Sequence, residues 1–530
     1  MPETTSSIAL MIENARLLRE TLLRDPHRPT YHFAIPEDLG IPGDPNGAFY
    51  ANGRYHLMYL YLCRSDGFRW GHISSHDLVH WRWHPDAIMP DVLDGGIFSG
   101  GAFVDDDGTC YLSYWGLQVE GNNHGGIRII KSCDPEYNTW EKFTEYALAC
   151  TDDGVLVTAD ADETPRYLAC ADPSNIWKKD GQYYMQTGNL CVLIKFKRDG
   201  LHNYSEAELA TIERPAEIVG DWVDLFRSRD LHSWEYLHRF YTRDAANRWT
   251  NVDEDDMCPS FLPLATSKDG GAFSGKYLQL FISHNRGCQY YIGSYDEAAD
   301  RFLPETHGRM SWVDNTYFAP EALVDDRGRQ IMWAWLTDNR ADELDLGWSG
   351  VFGLPRVLWL RDDGALGMAP APELAQLRYN PVHPGAMQLT ETPQPLSGIN
   401  GLSCEIKLRA TVPAGGELGL YLRANDDLTE YTKIGYDAAN GHLFFDATHS
   451  GTQGRPVLET APFTLEENEV LELTVFIDHS VIEIYANERQ AICRRVYPAT
   501  GGTQVLLYGT PGTQVDDHLA IYEMSASNFV

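Results

Sequence analysis

Two carboxylates stand out by their settings. Asp44 lies in Gly43-Asp44-Pro45-Asn46-Gly47, just ahead of the apolar run Ala48-Phe49-Tyr50, and Asp172 lies in Ala171-Asp172-Pro173. Pro45 stands eight residues before the turn glycine Gly53, and Pro173 stands eight before Gly181. Alone, Asp-Pro-Asn-Gly is a β-turn, because proline pre-sets φ and Asn-Gly tolerates positive φ. Two Asp-Pro pairs at one offset suggest more: two copies of a strand that opens onto a shared pocket. Acids in such a pocket suit glycosidic chemistry. An ionised carboxylate attacks the anomeric carbon. A carboxylic acid of raised pKa protonates the leaving oxygen and then acts as base towards water. A third carboxylate can hold ring hydroxyls and steady an oxocarbenium-like transition state.

The elements that would position these acids are short strands. Turn glycines Gly53, Gly108, Gly181, Gly275 and Gly328 each precede a β-rich run, from Tyr55-His56-Leu57-Met58-Tyr59-Leu60 to Ile331-Met332-Trp333-Ala334-Trp335. Each is a hairpin signal. Five copies predict a repeat architecture, a five-bladed β-propeller stretched by insertions. Gly100 and Pro320 stand eight residues before Gly108 and Gly328, and a fourth copy carries Cys258-Pro259-Ser260-Phe261 ahead of a longer loop. In a propeller the innermost strands begin at the same end of the axis, so this register predicts Asp44 and Asp172 around one axial pocket. Ser75-x-Asp77-Leu78-x-x-Trp81 recurs as Ser228-x-Asp230-Leu231-x-x-Trp234. It reads as a structural turn whose Trp packs between sheets.

At 530 residues the chain exceeds one ordinary core. Aromatics make up 12%, which suits β-structure and sugar-stacking surfaces alike. The net charge of −34 would repel a phosphate polyanion, so no nucleic-acid partner is expected. The ten cysteines form no CxxC pair and no zinc-ligand spacing with His, and they suggest no disulfide framework. Ile8, Met11, Ala15, Leu18 and Leu22 recur at helical spacing between Ser7 and Arg24, with charges interrupting them. This predicts one amphipathic helix docked on the body rather than a signal peptide. With no stretch of membrane-spanning length, the expectation is a cytoplasmic protein with no membrane partner. The proline-punctuated stretch around Asn380-Pro381 and Thr392-Pro393 reads as a connector. Beyond it, runs such as Ser403 to Leu408, Val470 to Ile477 and Val481 to Tyr485 predict a β-sandwich. The expected fold is all-β, with a helical extension over 1–27, a propeller over 28–375, a linker over 376–396 and a sandwich over 397–530.

At these residues the sequence resembles glycoside hydrolase family 32, which groups invertases, levanases and inulinases. Arg28-Pro29-x-Tyr31-His32-Phe33 leading into Asp44-Pro45-Asn46-Gly47 is similar to the family's opening segment and nucleophile motif. Trp70-Gly71-His72, Phe98-Ser99-Gly100-Gly101, Ala171-Asp172-Pro173, Tyr317-Phe318-Ala319-Pro320-Glu321 and Leu354-Pro355-Arg356 fall where later landmarks are expected, and Val475 to Glu483 resembles the sandwich domain. The resemblance implies retaining hydrolysis of β-fructofuranosides, with Asp44 as nucleophile and Asp172 as transition-state stabiliser. Asn46, Trp70, Phe98, Ser99, Asp314 and Glu321 are the candidates to line the sugar, with blade packing as the alternative for Trp70, Phe98 and Ser99; the resemblance implies a fructoside as partner and neither metal nor cofactor. Self-association stays open.

Two motifs depart from the family. Ala171 stands where the family has a sugar-binding arginine, and Met257-Cys258-Pro259 where it has Glu-Cys-Pro. The proton donor is therefore sought in Asp253-Glu254-Asp255-Asp256, with Asp255 and Glu254 as the candidates, and Glu321, where the family usually has glutamine, as a further one. His284, Asn285 and Arg286 form a polar cluster that could replace the arginine or simply close a loop. Two rivals follow: a fructosyltransferase, with a sugar hydroxyl replacing water, and an inactive carbohydrate-binding protein.

Overall fold

Turn glycines divide much of the chain into small antiparallel sheets. The computed structural model describes residues 2–36, 40–41, 43–117, 125–151, 155–159, 165–189, 220–242, 249–337, 340, 346 and 348–527. They fall into two compact units. One comprises Pro42–Thr337 and Leu354–Ala371; the other comprises Met1–Ile41, Asp338–Gly353 and Pro372–Val530.

The first unit holds five blades. Blade 1 runs outward through Pro45–Ala51, Arg54–Cys63, Gly67–Ser75 and Trp81–Ile88. Blade 2 begins with Ala102–Val104, blade 3 with Ala171–Pro173, blade 4 with Met257–Ala265 and blade 5 with Tyr317–Val324. The inner strand of blade 1 packs beside those of blades 2 and 5. That of blade 3 meets blades 2 and 4, and those of blades 4 and 5 meet each other, which closes the ring. Closure leaves no unpaired sheet at the axis and fixes which strand starts face one another. Apolar side chains fill the space between blades. Phe49, Leu60, Trp70, Leu112 and Tyr114 form one cluster, and Val223, Phe240, Phe261, Phe281 and Phe302 another.

Four of the inner strands slip register where the axial residues lie, between Asn46 and Phe49, Ala171 and Pro173, Met257 and Ser260, and Phe318 and Glu321. The residues before the prolines, Asp172, Cys258 and Ala319, have φ of +26°, +50° and +47°. Proline cannot donate to the ladder, so a bulge at that point wastes no hydrogen bond and re-aims the preceding side chain. The Ser-x-Asp-Leu repeats are turns: Asp77 Oδ1 accepts the Val79 and His80 amides, and Asp230 Oδ1 accepts those of His232 and Ser233. The turn expected at Ser274-Gly275 lies elsewhere. Gly270 N donates to Ser267 O at 3.0 Å, and the strand Phe273–Ser283 runs through Ser274-Gly275, where a bulge accommodates the positive φ of Gly275.

The second unit holds two antiparallel sheets. One contains Ser403–Thr411, Leu471–Asp478, Val481–Ala486 and Gln490–Arg495; the other contains Glu417–Ala424, Thr432–Asp437, His442–Asp446 and Gln504–Gly509. The segment expected as a linker is built into them: Arg378–Val382 pairs with Ala520–Met524, and Gln394–Pro395 pairs with Gln504–Gly509. Residues 28–41, expected with the blades, belong here too. Asp478 accepts the amides of Thr30, Tyr31 and His32 and lies 3.0 Å from His32 Nδ1. Burial alone would lower the His32 pKa, but bonds to Asp478 and Glu483 raise it to about 9. The helix Pro2–Arg24 forms, but it is not docked along its stripe. Leu22 is buried, whereas Ile8, Met11 and Leu18 are exposed. No helix among the described residues is long and apolar enough to cross a membrane. The nine described cysteines are free; Cys191 lies outside the described residues.

Candidate active site

Asp44 enters the axis at the start of blade 1. Its carbonyl accepts Leu60 N at 2.9 Å and Asn46 Nδ2 at 3.0 Å, which pins the backbone. Ser99 Oγ donates to Oδ2 at 2.5 Å, while Oδ1 is buried with no hydrogen-bond partner among the described residues. Close packing makes this possible. A side chain at Gly100 would strike Ser113 O, and Gly47 turns at φ +49° against the Trp70 ring. Burial pushes the Asp44 pKa up to about 7, with Asp172 adding to the rise and Ser99 and His284 opposing it.

Asp172 takes the equivalent place in blade 3. Cys258 of blade 4 donates its amide and its thiol to Oδ2, both at 3.4 Å, and Oδ1 is again buried without a partner among the described residues. Burial raises its pKa to about 6, against the bonds from Cys258 and the influence of His284. Two buried acids thus each offer one unsatisfied oxygen. A ligand's hydroxyls or an electrophilic carbon would relieve that cost, since an unpaired buried polar atom is expensive.

The four acids upstream of Met257 part company. Glu254 is fully buried, and Arg309 grips it through two bonds of 2.9 and 3.0 Å, with Gln289 donating at 2.7 Å. Burial pulls its pKa up, but Arg309 prevails and holds it below the usual glutamate range. Glu254 is therefore a locked structural ion, which corrects its expected place among the proton donors. Asp256 is buried and accepts the Tyr241 hydroxyl. Asp255 turns to His284: Oδ1 accepts the His284 amide at 2.8 Å, and Oδ2 lies 2.5 Å from Nδ1. Asn315 Nδ2 donates to the His284 carbonyl at 2.8 Å, and the Phe318 ring meets the imidazole edge-on at 5.7 Å. Burial alone would depress the His284 pKa; Asp255, then Asp172 and Asp44, raise it instead.

The remaining candidates divide by exposure. Trp70 is fully buried, with Nε1 donating to Phe98 O at 3.1 Å, and Asn46 is also buried, its amide bridging Asp44 O and Gly100 N. Both brace the backbone around Asp44 and Ser99. Phe98 is half-buried between Phe68 and Trp115. Asp314 is half-buried and caps the Thr316 amide at 3.1 Å. Glu321 accepts Ala48 N at 2.7 Å, and burial pushes its pKa well above the glutamate range. Ala171 is fully buried. Two features escaped the sequence. Cys258 serves Asp172, as its aligned place in blade 4 could have suggested. Asp255 pairs with His284; both had been flagged, but nothing local joins them.

A second histidine group lies in blade 1. Ring nitrogens of His56, His72 and His84 fall within 4.8 Å of one another. The rings of His72 and His84 stack at 4.1 Å and 19°. Their lone pairs therefore lie in nearly parallel planes and do not converge on one ion. The group is a neutral, stacked polar core.

The profile for "Glycosyl hydrolases family 32 N-terminal domain" matches residues 32–217 and 216–370, and that for "Glycosyl hydrolases family 32 C terminal" matches 373–523. Among curated relatives, a fructan 1-exohydrolase of Bromus pictus is 24% identical over 89% of this chain and 82% of its own. Beta-fructofuranosidase, insoluble isoenzyme 7, of Oryza sativa subsp. japonica is 26% identical over 89% and 84%. A solved structure of fructan 1-exohydrolase IIa from Cichorium intybus in complex with 1-kestose superposes with a TM-score of 0.78 at 22% identity, covering 96% of this chain and 99% of that one.

Proposed function

The chain belongs to glycosyl hydrolase family 32, and from that membership we propose that it cleaves β-fructofuranosidic bonds in sucrose, fructo-oligosaccharides or fructans with retention of configuration. The names of its relatives support the substrate class. The observation that carries the residue roles is the pair Asp44 and Asp172, buried at equivalent strand starts with one unsatisfied oxygen each. Asp44 Oδ1 attacks the anomeric carbon, while Ser99 holds Oδ2 and so fixes the angle of approach. Asp172 Oδ1 accepts ring hydroxyls, and its charge steadies the oxocarbenium-like transition state. Both must be ionised, so kcat/KM rises with pH through about 6 to 7, where burial has moved them.

Fructose release from sucrose and from a fructan, followed by sugar chromatography, tests this reading. The wild type yields free fructose, its first-formed anomer by NMR is the β-furanose, and Asp44→Ala lowers kcat/KM on the order of 10⁴-fold. Binding without turnover by the wild type would sink it.

A further inference from the structure

Position 257 leaves a retaining hydrolase without its proton donor. Met257 is buried and carries no titratable group. A donor must present a protonated atom to the same axial pocket as Asp44 and Asp172, and its partner must keep that atom aimed and basic enough to be reloaded. Among the described residues, Glu254 is locked by Arg309 and Asp256 is engaged by Tyr241. The Asp255 carboxylate is occupied on both oxygens by His284.

His284 offers an oriented and accessible ring nitrogen. Its Nδ1 faces Asp255 at 2.5 Å, which fixes that nitrogen as the one bearing the shared proton and orients the ring. Nε2 has no hydrogen-bonding partner among the described residues, and the side chain is 28% exposed, so it opens on solvent rather than packing into a core. Asn315 and Phe318 of the neighbouring segment hold its backbone and ring edge. Resting on the retaining reading above, we propose that His284 is the general acid and base of this enzyme, with Asp255 as its positioning residue.

In the first step Asp44 Oδ1 bonds to the anomeric carbon. The glycosidic C–O bond breaks, and the leaving oxygen takes the proton from His284 Nε2. In the second step neutral His284 removes a proton from water, the water oxygen bonds to the anomeric carbon, and Asp44 leaves as carboxylate. Atoms and charge balance, and the imidazolium is restored. Asp255 of blade 4 bonds to the imidazole, and the charges of Asp172 in blade 3 and Asp44 in blade 1 add to its influence; all three favour the charged form. The acid therefore stays loaded to higher pH than a free imidazole would.

The test compares sucrose, a poor leaving group, with p-nitrophenyl β-D-fructofuranoside, whose phenolate departs without a proton. His284→Ala should lose about 10²–10⁴-fold in kcat/KM on sucrose and far less on the aryl fructoside. Azide should then accelerate aryl fructoside turnover and yield a β-fructosyl azide, because it replaces water without needing a base. Asp255→Asn should move the basic limb of the sucrose kcat/KM profile to lower pH, and it carries the test if His284→Ala does not fold. Equal losses on both substrates, no azide rescue, an unmoved limb in Asp255→Asn, or the same substrate split in Glu321→Gln would overturn the proposal. Asp44→Ala keeps the two readings apart. It should abolish turnover of both substrates; if it does not, the retaining reading fails whatever His284 does.

Discussion

Two histidine sites in the blade unit both feel desolvation, yet their pKa values move in opposite directions. His56, His72 and His84 sit among aromatic rings: His56 stacks on Phe49 at 4.5 Å, and His84 Nδ1 meets the Asn138 amide oxygen at 2.8 Å. Among the described residues none of the three hydrogen-bonds to a carboxylate. Burial, aided by neighbouring imidazoles, lowers His56 to about 3 and His72 well below its usual value. His284 also feels burial, but Asp255 at 2.5 Å reverses the outcome. Desolvation alone makes an imidazole a neutral packing ring; a bonded carboxylate shifts it towards the charged form. His32, raised to about 9 by Asp478 and Glu483, obeys the same rule in the sandwich unit, where it staples an N-terminal segment.

The largest expected contrast comes from deleting one ring from each site. His284→Ala should lose sucrose turnover by the margin given above and, because it takes the imidazole partner from the buried Asp255 carboxylate, should also lower Tm. His72→Ala should keep the pH profile of kcat/KM and lose about 2–4 kcal/mol of stability, the range for truncating a large buried side chain. Loss of activity at unchanged stability in His72→Ala would break the contrast.

Neighbouring acids sharpen it next. Glu254→Gln strands the Arg309 charge and should cost about 3–5 kcal/mol in denaturant unfolding, without moving the basic limb of kcat/KM. Asp255→Asn should show the reverse. If Glu254→Gln moves that limb instead, the two acids have been assigned the wrong way round.

Stability against pH separates the same groups. Below about 6.5 the unfolded histidines of the blade 1 group take protons that the folded state refuses, so stability falls as pH drops from 6.5 towards 3, by about 1.4 kcal/mol per pH unit for each such group. His56→Gln should flatten that slope. Asp44 has the opposite sign. Its native pKa near 7 lies above the unfolded 3.8, so its ionisation costs stability as pH rises from 4 to 7. Asp44→Asn should therefore raise Tm at pH 8, by the equivalent of about 2–4 kcal/mol, and leave it unchanged at pH 4. The smallest expected effect is a transplant: Asn138→Asp gives His84 a carboxylate, and NMR titration should show its pKa rising. An unshifted His84 would mean that the carboxylate alone does not decide.

Much of this was legible in one dimension, because it repeats. Turn glycines and period-two runs announced the blades, and the count from Gly53 and Gly181 back to Pro45 and Pro173 put Asp44 and Asp172 at matching strand starts. Turn chemistry and strand period act over a few residues, so they are written locally. What lay beyond reach depends on neighbours far apart in the chain. The exposed stripe of the helix Pro2–Arg24, the strands within the expected linker and the burial of Trp70 all follow from tertiary packing. The four-acid run 253–256 shows the limit most clearly. Nothing in its sequence tells Glu254 from Asp255, since alternation merely says that adjacent side chains point opposite ways. Arg309 on one side and His284 on the other make one a structural ion and the other the orienting partner of a charged imidazole. The sequence by itself determined the repeat and the two axial aspartates, through local backbone preferences. Only the closed ring of blades decided which charges meet, because charge state inside a protein is set by whatever the fold brings within a few ångströms.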